Sequence, residues 1–239
     1  MNKTDLLNKW INESNNIVFF GGAGVSTESG IKDFRSIDGL FNEKYKYPPE
    51  EILSHHFFVN NTKEFYEFYK NKLNCLNAKP NICHKYLTKL EQSGKLKAII
   101  TQNIDGLHQK ANSQNIIELH GTIYKNYCIK CHKEYNANYI FQSSNIPLCT
   151  CKNIIKPQVV LYEEPLNQED INKTIEYISK ADLLIIAGTS LTVYPASSFI
   201  NFFKGKHLII INKDITPLDH KADLVINDNI SNIFKKLKI

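Results

Sequence analysis

The sequence is short of arginine. Of its 29 basic residues, 28 are Lys and one is Arg35. The net charge of +5 is therefore carried by dispersed Lys, whereas a specific nucleic-acid partner usually requires clustered charge and Arg. The chain also lacks a secretory leader and any apolar run near the ~20 residues that span a bilayer. We expect a soluble, intracellular, cytoplasmic protein with neither a nucleic-acid nor a membrane partner.

The 239 residues suffice for one large domain, or for a large domain with a small insertion. Hydrophobic residues make up 42% and charged residues 22%, which is ordinary for a globular protein. The six Cys of a chain expected to be intracellular favour free thiols or a metal site over disulfides.

Short apolar runs alternate with segments of helical periodicity. A helix is predicted over 4–13, and further helices over 82–93, 167–180, 195–204 and 229–237. Strands are predicted over 17–20, 96–101, 157–162, 182–188, 207–212 and 223–227. Because most strands are apolar on both faces, the fold class is α/β, a Rossmann-like parallel sheet with helices on both faces.

Two segments interrupt the alternation. Residues 41–79 are rich in aromatic residues and Lys, which predicts a helical insertion, and 123–155 hold four Cys. Together they would form a small domain. Residues 1–40, 80–122 and 156–239 would form the discontinuous large domain.

The first strand leads into GGAGVSTESGIKDFRS at 21–36. This is a partial dinucleotide fingerprint, since Thr27 occupies the place of the third glycine. The following Asp33-Phe34-Arg35 is not required to close a turn. Nearly all other cationic residues of the chain are Lys. Arg35 therefore suggests a need for the planar guanidinium group, whose N–H donors can bind a diphosphate or a carboxylate in pairs.

Four Cys form two close pairs, Cys128 with Cys131 and Cys149 with Cys151, separated by seventeen residues. Tetrahedral Zn²⁺ takes four thiolates in this way, although the second pair has one intervening residue where two are usual. With all four positions filled by protein, the predicted zinc is structural.

Polar residues cluster after the second strand and before the cysteine segment. TQNIDGLH covers 101–108 and ELHG covers 118–121. An amide, a carboxylate and an imidazole near strand ends suit recognition of a neutral amide and a ribose, with His as proton acceptor. Each residue taken alone could equally be structural.

Taken together, these segments resemble the sirtuins, NAD-dependent protein lysine deacylases, over nearly the whole chain. The match includes GAGVSTESGIKDFRS, TQNIDGLH, ELHG, the paired Cys, IKPQVVLYEE, GTSLTVYPA and IIINKD, in the family's order. The resemblance implies an enzyme that transfers the acyl group of an acyl-lysine side chain to ADP-ribose and releases nicotinamide and O-acyl-ADP-ribose. NAD would be the co-substrate, and the partners would be acyl-lysine proteins or peptides.

The resemblance also implies roles for individual residues. His120 would be the general base, and Asn103 and Asp105 would take part in catalysis. Val159, Val160 and Leu161 would present an edge to which the substrate peptide adds as a strand. The residues expected to contact NAD are Ala23, Gly24, Thr27, Phe34, Arg35, Gln102, Asn103, Ile104, Asp105, His120, Gly188, Thr189, Ser190, Asn212 and Ile230.

Three positions depart from the family pattern. Lys32 replaces the usual Pro, and Glu163 stands where many members have Gly. Members that remove acidic acyl groups carry Tyr and Arg three residues apart, whereas here Tyr66 is followed by Tyr69. We therefore expect acetyl or longer neutral acyl groups to be preferred over succinyl.

Other functions remain open at this stage. The same pocket would support ADP-ribosyl transfer to protein or plain NAD cleavage. A non-enzymatic, zinc-stabilised NAD-binding module and a dehydrogenase are further alternatives.

Overall fold

The computed structural model describes residues 2–36 and 39–238. Its helices are α1 (Lys3–Glu13), α2 (Pro49–Ile52), α3 (His55–Asn60), α4 (Thr62–Lys72), α5 (Ile82–Gln92), α6 (Leu107–Lys110), α7 (Ala137–Gln142), α8 (Gln168–Lys180) and α9 (Ile230–Phe234). Its strands are β1 (Ile17–Gly21), β2 (Leu96–Thr101), β3 (Ile116–Glu118), β4 (Gly121–Cys128), β5 (Glu134–Asn136), β6 (Ile155–Val159), β7 (Leu183–Ala187), β8 (His207–Ile211) and β9 (Leu224–Ile226).

Within the described residues, six strands form one parallel sheet in the order β3-β2-β1-β7-β8-β9. β1 and β7 are buried along their whole length, as continuous apolar runs require when helices cover both faces. Alternate residues of β1 enter different cores: Phe19 packs with residues of α1 and α5, and Phe20 with residues of α8. The predicted α/β fold is confirmed.

The strand order reverses at β1, whose neighbours are β2 and β7. From β1 the chain winds outward to β2 and β3, and later from β7 to β8 and β9. Ligands of parallel sheets bind at such a reversal, beyond the carboxyl ends of the strands. The fold therefore points to the ends of β1 and β7.

A second, three-stranded sheet has the order β5-β4-β6, with both pairings antiparallel. It packs with α2, α3 and α4 around an aromatic core that includes Phe57, Phe65, Tyr66 and Tyr69. We refer to α2–α4, β4–β6 and α7 as the small unit. The helices predicted for 41–79 are confirmed.

One strand prediction is wrong. Residues 157–162 do not extend the parallel sheet, because β6 (Ile155–Val159) pairs antiparallel with β4. The helix predicted over 195–204 is present as a 3-10 helix at Ala196–Phe202. The edge strand β3 was not predicted, and its three residues are too few for a clear periodicity. The proposed domain boundaries remain a prediction.

Candidate functional site

The glycine turn after β1 packs against the turn after β7. The N–H of Gly22 donates to the Ala187 carbonyl (3.1 Å), and that of Gly24 donates to the Gly188 carbonyl (2.8 Å). A Cβ at Gly24 would lie 2.7 Å from the Gly188 Cα, and one at Gly22 would lie 2.7 Å from the Gly188 carbonyl oxygen. These glycines therefore allow two main chains to touch at the switch point. Short 3-10 turns, Ala23–Val25 and Thr27–Ser29, follow where the fingerprint would open an α-helix.

A buried polar network joins this turn to the loop after β2. The Ser26 hydroxyl donates to Asp105 Oδ2 at 2.6 Å, and Asn103 Nδ2 donates to Ser26 Oγ at 3.1 Å. The second carboxylate oxygen accepts from the Leu107 N–H at 2.9 Å. Burial raises the pKa of Asp105, opposed by the hydrogen bonds from Ser26 and the Leu107 N–H and by the Lys110 charge. The structure thus joins Asn103 and Asp105 through Ser26, and their predicted roles stay a prediction.

Ser26 is a member of this network that the sequence prediction missed. Its side chain is 1% exposed and bridges two predicted site residues. The only signal was its place inside the glycine turn, where a Ser is ordinarily read as a loop residue.

His120 lies two residues beyond β3, with its ring oriented by the loop after β2. Its Nδ1 is 3.0 Å from the Gln102 carbonyl oxygen. Because a carbonyl only accepts, Nδ1 carries the proton, which leaves Nε2 as a lone-pair acceptor in the neutral ring. Burial lowers the pKa of His120, and the bond to Gln102 opposes that shift. Burial thus favours the neutral ring, in which Nε2 is the nitrogen that can accept a proton.

The remaining predicted contacts line the ends of β7, β8 and β9. Gln102 Nε2 donates to Thr189 Oγ1 at 3.1 Å, which joins the loops after β2 and β7. The Asn212 N–H donates to the Ile226 carbonyl at 3.1 Å, while its side-chain amide donates to the Asp214 carbonyl. Ile230 lies beside Gly188, since its Cδ1 would be 2.8 Å from a Cβ built there.

Phe34 and Arg35 lie outside the buried network. Phe34 is half-buried, with its ring 5.3 Å from that of Phe41, and the exposed Arg35 has its guanidinium carbon 5.2 Å from the same ring. Main-chain bonds from Leu40 to Asp33 and from Phe41 to Phe34, both 2.8 Å, fold this segment back on itself. Phe34 thus packs against the small unit's aromatic core, whereas Arg35 stays exposed beside the Phe41 ring.

The predicted substrate edge runs from β6 towards His120. The Val160 N–H donates to the His120 carbonyl at 2.9 Å, and the Leu161 N–H donates to Glu164 Oε2 at 3.0 Å. Val159 and Leu161 are buried, whereas Val160 is half-buried. Because the N–H groups of Val160 and Leu161 already have partners, an added peptide strand would have to use carbonyls or replace Glu164.

Glu163 adopts a left-handed conformation, with φ of 76°. Gly adopts that conformation without strain, which is a physical reason why many family members have Gly at this position. The Glu163 side chain offsets part of the strain by contacting α3: Oε2 accepts from the His56 N–H at 3.0 Å and Oε1 lies 2.7 Å from His56 Nδ1.

The four predicted metal ligands converge. The thiol sulfurs of Cys128, Cys131, Cys149 and Cys151 all lie within 4.8 Å of one another. Sulfur pairs from opposite knuckles are 3.5–3.6 Å apart. Zinc–sulfur bonds of 2.3 Å in a tetrahedron require sulfurs about 3.8 Å apart, so this donor set fits Zn²⁺. Since four thiolates complete the tetrahedron, the site fits a structural zinc.

Tyr66 and Tyr69 are 1% and 0% exposed inside the small unit. The Tyr66 hydroxyl donates to the Ile155 carbonyl. Tyr69 stacks on Phe141, with ring centroids 5.5 Å apart. Neither phenol carries a positive charge that could pair with the carboxylate of an acidic acyl group.

The fold and the site define an α/β protein with a dinucleotide-type turn at the switch point, a buried Ser-Asn-Asp network, a neutral His and a four-cysteine cluster. The sequence model of the Sir2 family matches residues 22–195. The chain belongs to the Sir2 family, the sirtuins.

Relatives and solved structures resemble it over nearly its full length. A protein of Clostridium perfringens named NAD-dependent protein deacetylase is 57% identical, with 98% of each chain covered. One of that name from Staphylococcus epidermidis is 46% identical, covering 99% of this chain and 98% of the relative. A structure of Sir2 with p53 peptide and NAD⁺ has a TM-score of 0.87 at 39% identity, covering 99% and 97% of the two chains. A Sir2 structure with acetylated peptide has the same TM-score and coverage at 38% identity.

Of the helices in the described ranges, none is long and apolar enough to cross a membrane.

Proposed function

We propose that the protein is an NAD-dependent protein lysine deacetylase. It would transfer the acyl group from an acyl-lysine side chain to ADP-ribose, consuming water and releasing free lysine, nicotinamide and O-acyl-ADP-ribose. The observation that carries this proposal is the neutral His120, held through Nδ1 at the same strand ends as the Ser26-Asn103-Asp105 network. The close relatives named NAD-dependent protein deacetylase support it.

NAD fits the switch point chemically. The turn of Gly22 and Gly24 packs on the main chain after β7 at the end of β1, which is the place where parallel sheets bind a dinucleotide. Gln102 and Thr189 would help to orient the dinucleotide between the loops after β2 and β7. We assign the adenosine side to Gly188, Ser190, Asn212 and Ile230, and the diphosphate side to Ala23, Gly24 and Thr27.

The nicotinamide side is assigned to the buried network. Asp105 has one carboxylate oxygen on Ser26 and the other on the Leu107 N–H, so it is oriented and can accept from a carboxamide. Asn103 and Ile104 would line the same pocket. Phe34 would cover the nicotinamide ribose, and Arg35 would supply the planar cation of the cofactor pocket.

His120 is assigned the proton transfer. When bound, NAD supplies an activated C1′ carbon, which the acyl oxygen of the substrate attacks as nicotinamide leaves. Nε2 of His120 would then take the proton of a ribose hydroxyl, so that its oxygen can accept the acyl carbon. The bond from Nδ1 to Gln102 preserves the tautomer that this step requires.

The acyl-lysine peptide would lie along Val159, Val160 and Leu161. The Val160 N–H bond to the His120 carbonyl connects that segment directly to the proposed base. Sir2 structures with acetylated and propionylated peptides support a peptide substrate. Zinc held by the four Cys would stabilise β4–β6 and take no part in the chemistry. The cytoplasmic location expected from the sequence belongs to this proposal as well.

The test is product analysis after incubation with NAD and an acetyl-lysine peptide. We expect nicotinamide, deacetylated peptide and O-acetyl-ADP-ribose in equal amounts. His120→Ala should retain fold and NAD affinity but lose the acetylated product. Label from NAD remaining attached to protein, nicotinamide release without peptide, or NADH formation would each contradict the proposal.

A further inference from the structure

The segment that carries Phe34 and Arg35 is held by side chains as well as by main chain. Glu43 follows the 3-10 turn Leu40–Asn42. Its Oε1 accepts from Lys32 Nζ at 2.8 Å, and its Oε2 accepts from Lys72 Nζ at 2.5 Å and from the Tyr45 hydroxyl at 2.7 Å. One carboxylate thus collects three donors.

These donors belong to two parts of the molecule. Lys32 and Tyr45 flank residues 33–42, whereas Lys72 is the last residue of α4 in the small unit. The Tyr45 ring lies edge-on to Phe68 of α4 at 5.2 Å, and Lys72 Nζ lies 5.3 Å from the Tyr45 ring. Glu43 therefore joins the described residues 32–36 and 39–43, which together we call the cofactor loop, and attaches them to α4.

The closed ends restrain what lies between them. Between the residues of the Lys32–Glu43 pair, the Leu40 N–H donates to the Asp33 carbonyl and the Phe41 N–H donates to the Phe34 carbonyl. Phe34 is therefore itself held by a main-chain bond, and Arg35 is the next residue. Fixing both ends lowers the number of conformations available to them before a ligand arrives, which favours binding.

The charges favour a stable attachment. Hydrogen bonds from Lys32 and then Lys72 lower the pKa of Glu43 to about 2. A group with a lowered pKa is charged above its ordinary pKa of 4.5 and loses its interactions only as pH falls towards 2. Exposed ion pairs are individually weak, but a carboxylate shared by two ammonium groups and a phenol forms a network.

We propose that Glu43 is a positioning residue, which holds Phe34 and Arg35 ready for NAD by fastening the cofactor loop to α4 through Lys32 and Lys72. The role of Lys32 is then electrostatic, which explains how this chain tolerates Lys where the family pattern has Pro. The inference rests on the proposed function only in taking NAD as the ligand. The attachment of the loop to α4 through Glu43 does not depend on that function.

The first experiment measures Glu43→Gln without ligand. Hydrogen exchange of amides in 33–36 and 39–42 should quicken at least three-fold, while β1 and β7 stay unchanged. Glu67→Gln is the matched control, because Glu67 of α4 also pairs with a Lys, Lys63 at 3.9 Å, and that pair does not involve the cofactor loop. The proposal would be overturned if hydrogen exchange in these segments is unchanged in Glu43→Gln. It would also be overturned if exchange becomes faster by the same factor in Glu67→Gln.

The second experiment separates positioning from general stability. In Glu43→Gln, the KM for NAD should rise about five-fold, with kcat and the KM for acetyl-peptide within two-fold of wild type. The Kd for NAD, measured by calorimetry, should rise equally. A fall in kcat with unchanged KM for NAD, or faster exchange with unchanged NAD affinity, would overturn the positioning role while leaving the deacetylase proposal intact.

Lys72→Gln supplies an independent variant. If both residues act through one attachment, the double variant with Glu43→Gln should bind NAD no more weakly than Glu43→Gln alone. Fully additive losses would contradict the shared attachment. NAD binding measured by calorimetry requires no turnover, so these results remain interpretable even if the wild-type protein proves not to deacetylate peptides.

Discussion

The parallel sheet and the small unit are stabilised by different means. β1 and β7 bury every residue between helices on both faces, and the core consists mainly of Leu and Ile. The small unit has a three-residue strand, β5, an aromatic core and a converged set of four thiols. From this difference we expect apolar burial to suffice for the large part and the small unit to depend also on a metal held by the four Cys.

Loss of the metal should cause the largest difference in stability between the small unit and the parallel sheet. Cys131→Ser removes one of the four thiolates, and structural zinc sites contribute on the order of 10 kcal/mol to the folding of small zinc modules. We expect zinc loss, rapid hydrogen exchange across β4–β6 and near-native protection of β1 and β7.

Metal analysis together with hydrogen exchange makes the measurement. Cys75→Ala is the matched control, because Cys75 is a partly buried thiol outside the cluster. Full protection of β4–β6 in a zinc-free Cys131→Ser protein would show that the small unit does not need the metal.

Gly24→Ala should have the next largest effect, and it should fall on the ligand. A Cβ at 2.7 Å from Gly188 forces the two turns apart, so NAD affinity should drop at least ten-fold. Gly94→Ala is the control for general destabilisation, since a side chain at φ of +76° is strained but an added Cβ would meet no atom within 4 Å in this turn between α5 and β2. Equal NAD affinity in both variants by calorimetry would contradict the close-packed switch point.

The small unit should also determine acyl preference. Its buried Tyr66 and Tyr69 offer no cation to a second carboxylate, and burying an unpaired charge is unfavourable. Succinyl-peptide should therefore react at least about ten-fold more slowly than acetyl-peptide by kcat/KM. Equal rates for matched peptides would show that the charge is received elsewhere.

Acid should have a smaller effect, which is a loss of unfolding free energy in the part of the molecule built on the parallel sheet. Burial lowers the pKa of His84 to about 4 and that of His108 further below its ordinary range, with their rings 4.7 Å apart. Groups with lowered pKa contribute stability that is complete above pH 6.5 and is lost as pH falls towards the folded-state values. His108→Phe should reduce the pH dependence of unfolding between pH 6.5 and 4.5 by up to about 1.4 kcal/mol per pH unit.

Urea unfolding at several pH values measures this slope. Because both nitrogens of His108 lack a hydrogen-bond partner among the described residues, Phe removes a titrating group without breaking a bond. A slope identical to that of wild type would mean that His108 does not resist protonation in the folded state.

How far the sequence predicts the molecule depends on the type of feature. Continuous apolar runs predicted β1, β2, β7 and β8, because burial on both faces leaves a direct record in composition. The same reasoning misassigned 157–162, since an apolar run does not say which sheet it joins. Ser26 and Glu43 escaped prediction because their roles come from partners 79 and 29 residues away along the chain.

The central claim is that His120 acts after NAD has been cleaved, at a site that joins cofactor and acyl-lysine. The most direct measurement follows labelled nicotinamide in His120→Ala with NAD and acetyl-peptide. The account predicts that peptide-dependent exchange of label into NAD persists, while formation of O-acetyl-ADP-ribose falls at least about 100-fold. Exchange lost together with the product, or product formed at the wild-type rate, would contradict it.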